Sequence, residues 1–271
     1  MAGAQARYSG AAVSAARILF LAGFRSYRAL FRWLTPSAFI PTLIGVPLVQ
    51  LVWFAYLGDY LGTRPISYYV VGNAIVSCAV AGLFAPAMSV SGERLGGSLP
   101  ALLATPANRV LVFTGRLIPA VLTGFLTTVF LFVVGVLFTD LRVPSGSVLP
   151  LVLVLLATST SCGAFGLVIG AIGLRTRQAP LIGNLTLNLM LLLCGVNIPL
   201  TVLPPVLQVL GKAMPMTYGI EAARRVLAGD GQIGHLVSLE LLKALGYLAV
   251  ALVALRYLEI SGKRHAHLDL A

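Results

Sequence analysis

An all-α integral membrane protein with six transmembrane helices is the fold class predicted by this 271-residue chain. Three observations lead there. Hydrophobic residues make up 58% of the sequence and charged residues only 10%. Uncharged apolar runs exceed the roughly 20 residues that a helix needs to cross a bilayer. Those runs are continuous, whereas the strands of a membrane barrel alternate apolar and polar residues over segments of about ten.

Six spans follow in order, at about Pro36 to Leu57, Ile66 to Ser91, Leu117 to Thr139, Val148 to Leu174, Ala179 to Val196 and Leu236 to Leu258. With no linker or low-complexity tract between them, residues 1–271 read as a single transmembrane domain. Ahead of the first span, residues 1–35 interleave Ile18, Phe20, Phe24, Tyr27 and Phe31 with Arg17, Arg25, Arg28 and Arg32. That mixture suits an interfacial amphipathic helix, aromatics in lipid and arginines toward phosphates; the alternative is a ragged extension of the first span. It does not read as a cleavable signal peptide, because arginines interrupt any apolar core.

Between the second and third spans, residues 92–109 form a short segment whose Leu95, Leu99, Leu102 and Leu103 recur at helical steps. Glu93 and Arg94 open it and Pro106 stops it. Flanked by spans committed to lipid, such a stripe belongs on the membrane surface or against another protein. Residues 197–235 are expected to form a re-entrant or interfacial hairpin: Pro199, Pro204, Pro205 and Pro215 break any single span, yet apolar stretches persist. Within it, Ile220, Ala223, Val226 and Leu227 lie along one side of a helix and Glu221, Arg224 and Arg225 along the other. Glu221 can pair with either arginine, and this face is either solvated or involved in solute entry or exit.

The net charge of +11 is compatible with nucleic acid until the positions are sorted. Most basic residues fall at the N-terminus, around Arg94 to Arg116, at Arg175 and Arg177, and near the C-terminus. The positive-inside bias therefore places both termini in the cytoplasm of a multi-pass plasma-membrane protein and argues against a nucleic-acid partner. Membrane lipid is the partner that the composition itself requires.

Polar groups within the spans are few. Asn73 lies in the second and Asn184 and Asn188, four residues apart, share a face of the fifth. Asparagine in hydrocarbon needs a neighbouring helix or a cavity, so each is either interhelical glue or the lining of a translocation path. Gly163, Gly166, Gly170 and Gly173 form a small-residue ridge suited to close helix packing. Cys78, Cys162 and Cys194 read as small apolar residues, and Glu240 and Lys243 as a self-neutralising pair. No catalytic grouping, metal-ligand cluster, membrane-centred acid or phosphate-binding loop is present. The chain is therefore expected to be no enzyme and to bind no cofactor directly; if it moves a solute, an external ATPase must do the work.

The loop at 92–109 resembles the cytoplasmic coupling loop of type-2 ATP-binding-cassette (ABC) permeases, E-x-x-x-G-[ST]-L-x-x-L-L-x-[ST]-P followed by a basic residue. Glu93, Gly97, Ser98, Leu99, Leu102, Leu103, Thr105, Pro106 and Arg109 match, while Pro100 departs from the pattern. The segment around Pro215, Thr217, Tyr218, Glu221, Arg224, Leu227 and Gly229 is similar to the family's external P-[LM]-[ST]-Y-x-[IV]-E-x-x-R-x-x-L-x-G. The resemblance implies a permease subunit of an ABC exporter, closest to daunorubicin-resistance drug exporters, with antibiotic resistance and multidrug efflux as the associated roles. It further implies a cytoplasmic ABC ATPase subunit carrying ATP and Mg, contacted by the N-terminal helix and by Glu93 to Pro106, and a second permease, identical or related. An amphiphilic drug or lipid-like molecule is the expected solute. The rivals are export of a polysaccharide or lipid-linked glycan by the same kind of permease, and a membrane scaffold that transports nothing.

Overall fold

The computed structural model describes residues 41–95, 114–139, 141, 143–176 and 178–268, with 91–95, 175 and 258–268 described by backbone alone. They form helices and turns with no strand among them. A π-helical turn at Pro41–Gly45 leads into α1 (Val46–Leu61), followed by α2 (Ile66–Leu95), α3 (Leu117–Phe138), α4 (Val148–Thr176) and α5 (Ala179–Leu193). A 3-10 turn at Leu200–Val202 precedes the short α6 (Pro205–Ala213) and α7 (Thr217–Leu227), and α8 (Gly234–Leu268) closes the chain. Among the described residues, five helical segments are long and apolar enough to cross a membrane; α5, with 15 residues, is a shorter apolar helix.

Several boundaries differ from the sequence reading: α1 runs on to Leu61 in place of Leu57, and α8 spans Gly234–Leu268 in place of Leu236 to Leu258. The fifth helix stops at Leu193, three residues before the expected end, because Gly195 turns the backbone at φ +77°. The second continues to Leu95, so Glu93 and Arg94 lie in its last turn; the sequence reaches its first helix-ending glycines only at Gly96 and Gly97. The remaining coupling-loop positions, Gly97, Ser98, Leu99, Leu102, Leu103, Thr105 and Pro106, and the N-terminal Arg17, Arg25, Arg28 and Arg32, lie outside the described residues.

Helix α2 is the axis of the bundle. It packs against α4, α3, α1, α5 and α7, and 89% of its membrane-length window is buried, against 22% of that in α8. Val70, Ala74, Ile75, Ala79, Leu83 and Ala87 are sealed inside. By contrast, Leu122, Leu126, Phe130, Val133 and Leu137 project outward along α3, and Leu242, Leu245 and Val253 along α8. A water-soluble protein would bury such stripes; here they are the faces that meet lipid.

The glycine ridge of α4 is what brings α4 onto α2. A Cβ built on Gly166 would lie 2.6 Å from the Gly82 carbonyl oxygen and 2.7 Å from that of Leu83. Both obstacles are backbone atoms of a central helix, so neither can rotate aside. Hydroxyls complete the contacts: Ser77 Oγ lies 3.0 Å from Thr128 Oγ1, joining α2 to α3.

Replacing Gly166 with alanine therefore forces the two central helices apart and should cost about 1–3 kcal/mol. Gly246→Ala, which meets nothing within 4 Å, should be neutral or slightly stabilising. Melting of the two purified variants in one detergent measures the contrast.

Candidate functional site

Chain direction alternates from helix to helix, so one end of the bundle collects the starts of α2, α4 and α8 with the end of α5. The hairpin of α6 and α7 folds onto this end. Pro205 starts α6 where its missing N–H does no harm. Helix α7 starts after Met216, which adopts a left-handed φ of +66° although it has a side chain.

That turn is held from another helix. Glu240, buried in the second turn of α8, accepts hydrogen bonds from Met216 N–H (2.9 Å) and Tyr218 N–H (3.2 Å), one on each carboxylate oxygen. An acid at a helix N-terminus satisfies otherwise unpaired donors and complements the helix dipole. Lys243 lies 3.0 Å from the same carboxylate, donates to Met214 O at 2.7 Å and sits 4.4 Å from the Tyr218 ring centre. The Tyr247 hydroxyl donates to Ala213 O. The pair expected from sequence thus does more than neutralise itself: with Tyr247 it fastens the hairpin to α8.

On its other side the hairpin is fastened by Arg224. The guanidinium donates to the carbonyl oxygens of Gly195 (2.7 Å), Val196 (2.8 Å) and Tyr68 (2.9 Å), and its carbon lies 3.4 Å from the centre of the Tyr68 ring. Burial lowers its pKa to about 10, which leaves it cationic at neutral pH. Glu221 pairs with Arg225 at 2.5 Å, settling which arginine it chooses. Arg224 therefore leaves the charged side drawn from sequence and points inward. A Cβ on Gly219 would lie 2.0 Å from Thr158 Oγ1, so this helix approaches α4 as closely as its glycine allows. Pro215 lies between the two short helices, where its carbonyl oxygen faces Cys194 Sγ at 3.5 Å.

The three asparagines separate. Asn73 is buried and saturated: Gln50 Nε2 donates to its oxygen at 3.2 Å, and its own amide donates to Tyr69 O (2.9 Å) and Asn197 Oδ1 (2.8 Å). It ties α1, α2 and the bend that follows α5 together. Asn184 and Asn188 are instead exposed on α5, each donating to a carbonyl of its own helix, Pro180 O at 3.1 Å and Asn184 O at 2.9 Å. They share that face with the exposed Leu181, Leu185 and Leu192.

An apolar bundle with large apolar side chains on its outside and a polar clamp at one end is suited to a membrane. A family model described as ABC-2 type transporter matches residues 19–228. The chain belongs to the ABC-2 type transporter family. No curated protein gives a match to it. As an ABC-2 protein it is a multi-pass membrane permease of an ABC exporter, not the ATPase, and proteins of this kind work with an ATPase subunit. Sequence reasoning missed Gln50, Tyr68, Asn197 and Tyr247, whose partners lie far off in the chain.

The two ion pairs of this ABC-2 permease should respond differently. Glu240→Ala strands Lys243 and two backbone N–H groups in a dry site and should cost about 3–5 kcal/mol. Arg225→Ala breaks a pair whose side chains are 45% and 47% exposed and should cost less than about 1 kcal/mol. Denaturation of both variants in matched micelles checks the order.

Proposed function

We propose that the chain exports an amphiphilic drug or lipid-like molecule along the α5 face, between two permease copies. A cytoplasmic ATPase subunit, binding ATP and Mg, drives it by way of Glu93 to Pro106. Both termini are cytoplasmic in this reading, so the hairpin and its clamps lie at the outer surface and the coupling segment at the inner one.

The observation that carries the reading is the exposed α5 face. Asn184 and Asn188 make no hydrogen bond to another helix among the described residues, so glue among those residues does not account for them. A bare asparagine pair facing hydrocarbon is unfavourable, which favours a second permease and an aqueous or solute-filled path as its surroundings. Leucines fill the rest of the face. A solute meeting it would bind by apolar area with few polar anchors, the pattern of a pocket for amphiphiles. The connection to the ATPase side is direct in the chain: α2, the buried axis, continues through an internal Pro86 to Leu95, and Arg116 at the start of α3 donates to Ser89 O at 2.6 Å. Motion of the coupling segment would reach α2 and α3 together.

Efflux of a fluorescent amphiphile, from cells expressing the chain with its ATPase, tests the path. Asn184→Leu with Asn188→Leu should lower efflux about tenfold, through loss of two polar anchors, while the melting temperature stays at the wild-type value. Unchanged efflux would remove the pair from the path. A lowered melting temperature would return it to a packing role.

A further inference from the structure

The end of α5 poses a problem that Arg224 solves with help from Tyr68. Fifteen residues at 1.5 Å each give about 22 Å, short of the roughly 30 Å hydrocarbon core. Past its end the chain bends through the buried Gly195 and Val196, whose carbonyls have no helical turn to bond them. In discontinuous membrane helices such carbonyl ends are typical sites for a bound monovalent cation. Here the Gly195 and Val196 oxygens converge with that of Tyr68, and the Tyr68 ring presents its face to the same point. The Tyr68 hydroxyl adds a hydrogen bond of 3.2 Å to Gly195 O. A Cβ on Gly72 would come within 2.5 Å of Val196 O and 2.9 Å of Arg224 Nη2, so the cage closes only because residue 72 has no side chain.

We propose that Arg224 is a tethered cation: its guanidinium occupies the carbonyl cage at the broken end of α5, in the place a free ion would take. It is a positioning residue. By binding just past the end of α5, it fixes the height and register of Asn184 and Asn188 and locks α7 to α2. Planarity matters, because three carbonyls around one ring face suit a delocalised fork better than the compact ammonium of lysine. The link to the asparagine face rests on the proposed export path; the cage itself does not.

Chemical rescue tests it. The full chain is purified in mild detergent as wild type, Arg224→Ala, Arg224→Gln, Arg224→Lys and Gly72→Val, and melting is followed with guanidinium chloride, urea or choline chloride at low-millimolar levels, far below denaturing concentrations. Alanine and glutamine variants should melt below wild type. Guanidinium should restore about half or more of the loss, while urea, planar but neutral, and choline restore none. Arg224→Lys should fall between. Gly72→Val should melt low without rescue, since its cage is filled by carbon. If Arg224→Ala does not accumulate, the glutamine variant, which keeps bulk and donors without charge, carries the same titration. Wild-type stability in the neutral variants, or rescue no better with guanidinium than with urea, overturns the proposal. No ATPase or solute is needed, so failure here is distinct from failure of the export reading.

Discussion

Every carbonyl and N–H that a membrane protein takes into hydrocarbon needs a partner within the protein, and in this chain the demand concentrates where α5 ends. A helix of full length would satisfy its own backbone. This one ends at Leu193, and the guanidinium of Arg224 takes up the carbonyls of Gly195 and Val196 just beyond it. Much of the outer architecture follows from that contact. The helix carrying Arg224 must lie against α2, its own start must then be capped from α8 by Glu240, and the residues leaving α5 come within reach of Asn73. Clamps on opposite sides of the hairpin turn the ends of α2, α5 and α8 into a single polar-bonded layer above an apolar bundle.

Below that layer the packing is dominated by small residues and the central α2. Gly166 on α4 admits the backbone of α2 at a distance no larger residue permits. A central helix sealed on nearly all sides is poorly suited to bending independently and well suited to carrying a displacement along its length. The α1, α3 and α8 faces are covered in large apolar side chains, while α5 alone combines an apolar face with two amide groups bonded only to their own helix among the described residues. Rigidity at the clamped end and polarity on one exposed face are the two features on which the proposed path at the boundary of the permease rests.

The helical architecture was legible because lipid imposes a strong, one-dimensional signal: 20 or so apolar residues in a row need no partner to be recognised. Starts at Ile66, Leu117, Val148 and Ala179 agree between sequence and structure. The site was less legible, since its bonds join segments far apart in the chain. Asn73 and Asn184 looked alike as isolated polar residues, yet one is saturated by Gln50 and Asn197 and the other is exposed. Helical periodicity placed Arg224 beside Glu221 and Arg225; it could not show that a broken helix end stood opposite. Glu240 and Lys243 were recognisable as a pair from their spacing, but their role at the start of α7 depends on a left-handed Met216 that no residue preference announces.

The central claim is that this ABC-2 permease is the membrane half of an ATP-driven exporter, and the composition of the native complex tests it most directly. Tagged chain, solubilised gently from its own membrane, is weighed by native mass spectrometry and its companions are identified. The account predicts two permease subunits with two cytoplasmic subunits that carry a phosphate-binding loop. A fully inserted chain recovered without any ATPase across several mild detergents would contradict it.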